Sequence, residues 1–172
     1  LPAAAIAGAA ALYLGALPLT AEPSRSAALR AVDLAVAAGV PVCFDPNPRA
    51  QFLAAGPAAR EACWQIARAA TVLKLSADDL TILGITTDDL LDLAPQARLR
   101  VLSRGAAGCD YWTPEMGGHQ PAFTVQTVDE TGAGDAFMAA LIARGVETGF
   151  RYSPDDIAFA AAVGALATTR HG

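Results

Sequence analysis

The stretch "AEPSRSAALRAVDLAVAAGVPVCFDP", residues 21–46, decides the fold class. Its first part reads as a helix, with Pro23 near the first turn and Gly39 just past the last. "VPVCFDP" then reads as a buried strand whose end carries Asp45. Upstream, "ALYLGA" (11–16) reads as another buried strand, so the unit is strand, helix, strand. A helix between two buried strands is how parallel strands are joined.

Outward from this unit the same alternation continues. "NPRAQFLAAGP" reads as a loop, "AAREACWQIARAA" as a helix, and "TVLKL" as a short buried strand ending at Ser76. Two small helices follow, the second started by Thr87 with two aspartates behind it. "RLRVLS" is the next strand, "RGAAG" turns into "CDYWTP", and "EMGGHQ" reads as a turn. "AFTVQTV" alternates toward Asp129, and two helices close the chain over about 132–149 and 153–169. The pattern predicts an α/β fold with a mainly parallel central sheet, formed by residues 1–172 as one unit without internal repeats. In such sheets ligands collect outside the carboxyl ends of the strands. Four polar clusters fall there: Asp45 to Arg49, Lys74 to Asp79, Ser103 to Gly108, and Asp129 to Asp135.

Composition narrows the function. The 172 residues carry a net charge of −5 with no basic cluster, which argues against nucleic acid as a partner. An anionic ligand would have to be held by local amide dipoles and a few cations. Cys43, Cys63 and Cys109 show no metal-type spacing and read as buried small hydrophobes in a reducing, cytoplasmic setting. Trp64 and Trp112 read as core. His119 and His171 lie in no partner pattern. No charge precedes Glu22, yet Ala and Gly dominate that stretch and Pro18 interrupts it, so a membrane span is not expected. Starting without Met inside an apolar run suggests a chain that begins partway through a larger protein.

"TVDETGAGDAF", residues 127–137, supplies the chemistry. A helix beginning near Gly132 would leave its first amides without intrahelical partners and place partial positive charge there. Gly132 and Gly134 let the backbone approach a bulky anion, and Ala133 adds little obstruction. Asp135, in the first turn, would serve as a general base toward an attacking hydroxyl, or merely complement the helix dipole. A dinucleotide fingerprint fails because Phe137 takes the third glycine position, and no Gly-Lys-Ser/Thr exists for a Walker A loop.

"VDETGAGDAF" resembles the second signature of the ribokinase-like (pfkB) sugar kinases, D-T-x-G-A-G-D. "FDPNPR", "VLKLSADDL" and "VLSRGAAG" are similar, in family order, to the D-x-N-x-R, N-x-x-E and T-x-G-x-x-G segments. The resemblance runs across nearly the whole chain. It implies a three-layer ribokinase-like fold whose N-terminal part and lid are missing here, leaving the C-terminal nucleotide-binding portion. It also implies ATP-dependent phosphorylation of a sugar, with fructose favoured and 2-keto-3-deoxygluconate the runner-up. A noncatalytic nucleotide-binding module is the alternative of another class.

On that resemblance Asp135 is the catalytic base and Gly132, Ala133 and Gly134 form the anion hole. Lys74 and Ser76 lie near the phosphates of ATP, and Asp79 acts through magnesium and its waters. Ser103, Gly105 and Gly108 border ATP. Asp129 and Thr131 match a monovalent-cation site, with potassium the candidate ion. Arg49, with Asp45 and Asn47, faces the sugar or the transferring phosphate. Ser76 and Asp79 replace the family's usual Asn and Glu, and Glu130 replaces a common Thr. The full-length protein is a candidate homodimer.

Overall fold

The computed structural model describes residues 2–171. Its elements are α1 (Ala3–Ala7), β1 (Leu12–Leu14), α2 (Ser24–Ala37), β2 (Val42–Phe44), α3 (Ala50–Ala54) and α4 (Gly56–Ala69). They continue with β3 (Val72–Ser76), α5 (Ala77–Leu83), α6 (Thr87–Leu93), β4 (Leu99–Ser103), β5 (Cys109–Trp112), β6 (Gly117–Gln120), α7 (Ala133–Thr148) and α8 (Pro154–Ala167). Short 3-10 turns cover Leu17–Thr20 and Gly105–Ala107.

The six strands form one sheet in chain order, β1 to β4 parallel and β5 and β6 antiparallel. Side chains alternate between its faces with period two. Phe44, Leu73, Leu75 and Leu102 join the core shared with α2 and α4, while Cys43, Val72, Leu99 and Val101 pack with Phe137, Leu141 and Ile157 of α7 and α8. Burial on both faces explains why β2, β3 and β4 are near-continuous apolar runs. The same period places Asp45, Lys74 and Ser103, each two residues beyond Cys43, Val72 and Val101, on the α7 side. That parity puts the polar strand ends against the start of α7.

Several expectations are met. All three cysteines are buried and free, and Trp64 and Trp112 pack against the core. Among the described residues no helix is long and apolar enough to cross a membrane.

Others are corrected. Residues 50–54, read as loop, form α3, with Phe52 buried. β1 is an edge strand rather than a fully buried one, and Tyr13 is 46% exposed. Thr86, not Thr87, caps α6: its Oγ1 accepts from the Asp89 amide at 3.2 Å while the Asp89 carboxylate accepts from the Thr86 amide at 2.7 Å.

"GGHQ" is a strand, not a turn, because its glycines cross the rings of β5. A Cβ on Gly118 would stand 2.6 Å from the Tyr111 hydroxyl, and one on Gly117 3.0 Å from Trp112 Cδ1. Only glycine permits that passage, so a sequence poor in strand formers still pairs. The alternating stretch after it is not a strand. Pro121 removes the next backbone donor, and 121–127 forms no strand before the amides of Val128 and Asp129, which bond the Thr168 carbonyl at 2.7 and 3.1 Å.

Candidate active site

The strand ends build one wall of the site. Lys74 Nζ donates to Asp45 Oδ2 at 2.6 Å, with Lys74 5% and Asp45 1% exposed. Asp45 Oδ1 is buried with no hydrogen-bond partner among the described residues. Burial pushes the Asp45 carboxyl above its ordinary range, Lys74 opposes this, and the negative charges of Asp79 and Asp135 add to it. Asn47 and Arg49 are exposed, and Asn47 adopts a left-handed φ of 39° in the turn that leads to α3.

Ser76 and Asp79 satisfy each other at the start of α5. The Ser76 amide donates to Asp79 Oδ2 at 2.7 Å, and Ser76 Oγ accepts from the Asp79 amide at 3.1 Å. Ser103 Oγ donates to the Leu75 carbonyl at 3.4 Å. Gly108 must be glycine: its φ is +86°, and a Cβ there would stand 2.1 Å from the Gln120 carbonyl oxygen.

The start of α7 builds the facing wall. Asp129 Oδ1 accepts from the Thr131 amide at 2.9 Å, a local turn that leads the chain into Gly132. Gly132 has φ +81° with nothing near its missing Cβ, so the left-handed turn alone requires glycine. The Ala133 amide bonds the Glu130 carbonyl at 3.2 Å, whereas the amides of Gly132, Gly134 and Asp135 bond no carbonyl among the described residues. Of the three residues expected to form the anion hole, the amide of Ala133 is therefore already engaged. A Cβ on Gly134 would lie 3.5 Å from Lys74 Nζ, which places the ammonium beside the open amides. Helix α8 fixes this turn through Gly164, where a Cβ would meet the Ala133 carbonyl and Phe137 Cβ, both at 3.2 Å.

Between the walls lies a cleft of about 470 Å³, bordered by Lys74, Ser103, Gly105, Gly108, Ala133 and Gly134. Thus the expected phosphate and nucleotide residues converge, apart from Ser76 and Asp79, which cap α5 at the end of the same strand as Lys74. Asp135 is exposed and does not border the cleft, and its charge is felt at Tyr13 and Asp45. Burial pushes the Tyr13 hydroxyl up to about 12, and the charges of Asp45 and Asp135 add to it.

Sequence reasoning missed Tyr13, because half-exposure follows from the edge position of β1. It also missed the exposed Arg104–Asp110–His119 cluster at the rim, where Arg104 Nε and His119 Nδ1 each lie 2.7 Å from an Asp110 oxygen. The β5–β6 register, Asp110 opposite His119, is the signal that would have paired them.

Magnesium was expected at Asp79. That carboxylate is 4% exposed with one oxygen in the cap, and no group of three His, Cys, Asp or Glu among the described residues forms a metal cage. The negative charges of Asp79 and Asp135 are each felt at Asp45. Asp45 is closed off by Lys74 and Asp79 by its cap, so these carboxylates offer magnesium no ready-made cage, and an ion here would be carried by substrate phosphates and water.

The pfkB family carbohydrate kinase model matches residues 1–172. The chain belongs to this family. It is 36% identical over 174 residues to fructokinase-1 of Zea mays, covering 95% of this chain and 54% of that protein. Aminoimidazole riboside kinase from Salmonella enterica, solved with aminoimidazole riboside and an ATP analogue, matches with TM-score 0.79 and 32% identity over 93% of this chain and 56% of that one. A double mutant of the Vibrio cholerae fructokinase, solved with fructose, ADP and potassium, matches with TM-score 0.81 and 28% identity over 100% and 59%. The fold of this pfkB chain is ribokinase-like. The chain spans about half the length of the curated relatives it matches.

Proposed function

We propose that this pfkB chain is the nucleotide-binding and catalytic portion of a kinase that transfers the γ-phosphoryl group of ATP to a sugar hydroxyl. Fructose, at its primary alcohol, is the acceptor we favour. One observation carries the reading: the free amides of Gly134 and Asp135 open beside Lys74 Nζ at the head of a sixteen-residue helix. Amides and dipole there suit a phosphoryl group of high negative charge.

In this reading the cleft takes the nucleotide, with Ser103, Gly105 and Gly108 along its base and phosphates. Lys74 and the α7 amides hold the transferring group. Asp135, in the first turn of α7, accepts the proton as the acceptor oxygen bonds to phosphorus and the bond to the β-phosphate oxygen breaks. A loose transition state releases the proton late, so a carboxylate can take it. Magnesium, reached from Asp79 through water, would neutralise phosphate charge. Asp129 and Thr131 are the candidate potassium residues, behind the turn that they shape. Asn47 and Arg49 are exposed beyond β2, where an acceptor or its new phosphate would lie.

A riboside acceptor is the second reading, favoured by the 32% identity to the Salmonella kinase. An ADP-release assay on a chain extended to its relatives' length separates the readings. Fructose is expected to give the highest kcat/KM among fructose, 2-keto-3-deoxygluconate and aminoimidazole riboside. ATP binding without ADP release for any of them would favour a noncatalytic module. The 172-residue chain alone is expected to turn over little or no sugar, since positioning and exclusion of water need more surface than its open cleft offers.

A further inference from the structure

We infer that Asp45 is a positioning residue for the phosphate site, acting through Lys74, rather than a contact for the acceptor. The inference rests on the phosphate reading of the α7 turn. Asp45 lies at the end of β2 and Lys74 within β3, on the same face of the sheet. Their 2.6 Å contact is sealed, with both side chains at least nine-tenths buried. A long ammonium side chain has many rotamers. This one is held at a single point, its Nζ 3.5 Å from where a Cβ on Gly134 would lie and on the border of the cleft.

A buried cation without a counter-charge would be expelled or neutralised. Asp45 therefore does two things. It supplies the counter-charge beside the buried ammonium, and it fixes the direction of the remaining Nζ protons. Ammonium carries three donors, and the contact with Asp45 Oδ2 uses one. The others are left for an anion arriving at the Gly134 amide. Asp45 itself offers no solvent-facing oxygen to a sugar, since Oδ1 is enclosed without a partner among the described residues.

Lys74 is the sole lysine of the chain, so a uniformly ¹⁵N-lysine-labelled sample gives one Nζ signal, and that signal reports the pair directly. Magnesium with a non-hydrolysable ATP analogue is expected to move this signal in the wild-type chain. Asp45→Asn is expected to shift the free-state signal and to weaken analogue binding by about 10–100-fold, the range usual when an outer partner that orients a binding group is lost.

In a Lys74→Met background, where no buried cation is left alone, adding Asp45→Asn should change analogue affinity by no more than about twofold, the scatter of independent sites. That arm decides the question even if Asp45→Asn alone fails to fold. A wild-type Nζ signal unmoved by the analogue overturns the phosphate reading and this inference together. A moved signal with unchanged affinity in Asp45→Asn, or a further loss in the double variant, overturns the inference alone.

Discussion

Asp135→Asn is expected to lower the turnover of a chain extended to its relatives' length by about 10²–10⁴-fold, the usual worth of positioned proton transfer. Nucleotide affinity should stay nearly unchanged. The two observables separate because Asp135 is not on the border of the cleft, whereas Lys74, Gly105, Gly108 and Gly134 are. Its side chain is exposed at the first turn of α7, and its charge is felt at Tyr13 and Asp45. Asparagine keeps the shape and the first-turn geometry but cannot take a proton. Loss of nucleotide affinity in step with turnover would mean that Asp135 acts on the helix dipole or the bound nucleotide. Turnover within about threefold of wild type would remove it as the base, since proton transfer is seldom worth so little.

Asp156→Ala is expected to destabilise the chain by about 1.5–3 kcal/mol at neutral pH, the worth of hydrogen bonds to a charged group, since its partner Arg144 is 37% exposed and the pair is screened by solvent. Asp156 is 2% exposed and starts α8. Oδ2 accepts from the Ser153 amide at 2.9 Å and the Ser153 hydroxyl at 2.7 Å, and Oδ1 accepts from Arg144 Nε of α7 at 2.7 Å. Burial works to raise this carboxyl, yet the Ser153 bonds and Arg144 together hold it below its ordinary value. A depressed folded-state value makes its stabilisation complete above the unfolded value of about 3.9. The contribution is lost as pH falls through the folded value. Urea unfolding should therefore show a gap between wild type and variant that is full at pH 7 and narrows below about pH 4. A gap that is constant with pH would assign the effect to packing. The consequence reaches the site, because α8 packs Gly164 directly under the first turn of α7.

How much of this was legible in the sequence depended on the range of the forces involved. The α/β class was readable because helix boundaries and buried strands are local: Pro23, Gly39 and the run to Asp45 mark one crossover by themselves. The α7 turn was readable for the same reason, since left-handed Gly132 and the acidic first turn sit within a few residues. The ion pair was not readable. Asp45 and Lys74 are 29 residues apart and meet only because adjacent parallel strands end side by side with matching parity. "GGHQ" was misread because its strand character comes from the aromatic rings it crosses, not from its own propensity. The half-exposed state of Tyr13 likewise follows from strand order, which no local pattern encodes.

In the proposed function the amides at the start of α7, with Lys74 beside them, receive the phosphates of ATP. Backbone ¹⁵N–¹H shifts of the 172-residue chain, followed during titration with magnesium and a non-hydrolysable ATP analogue, test it most directly. The largest changes are expected at Gly132, Gly134 and Asp135, with a second set at Gly105 and Gly108. Saturable binding whose shifts lie elsewhere, leaving those amides in place, would contradict it.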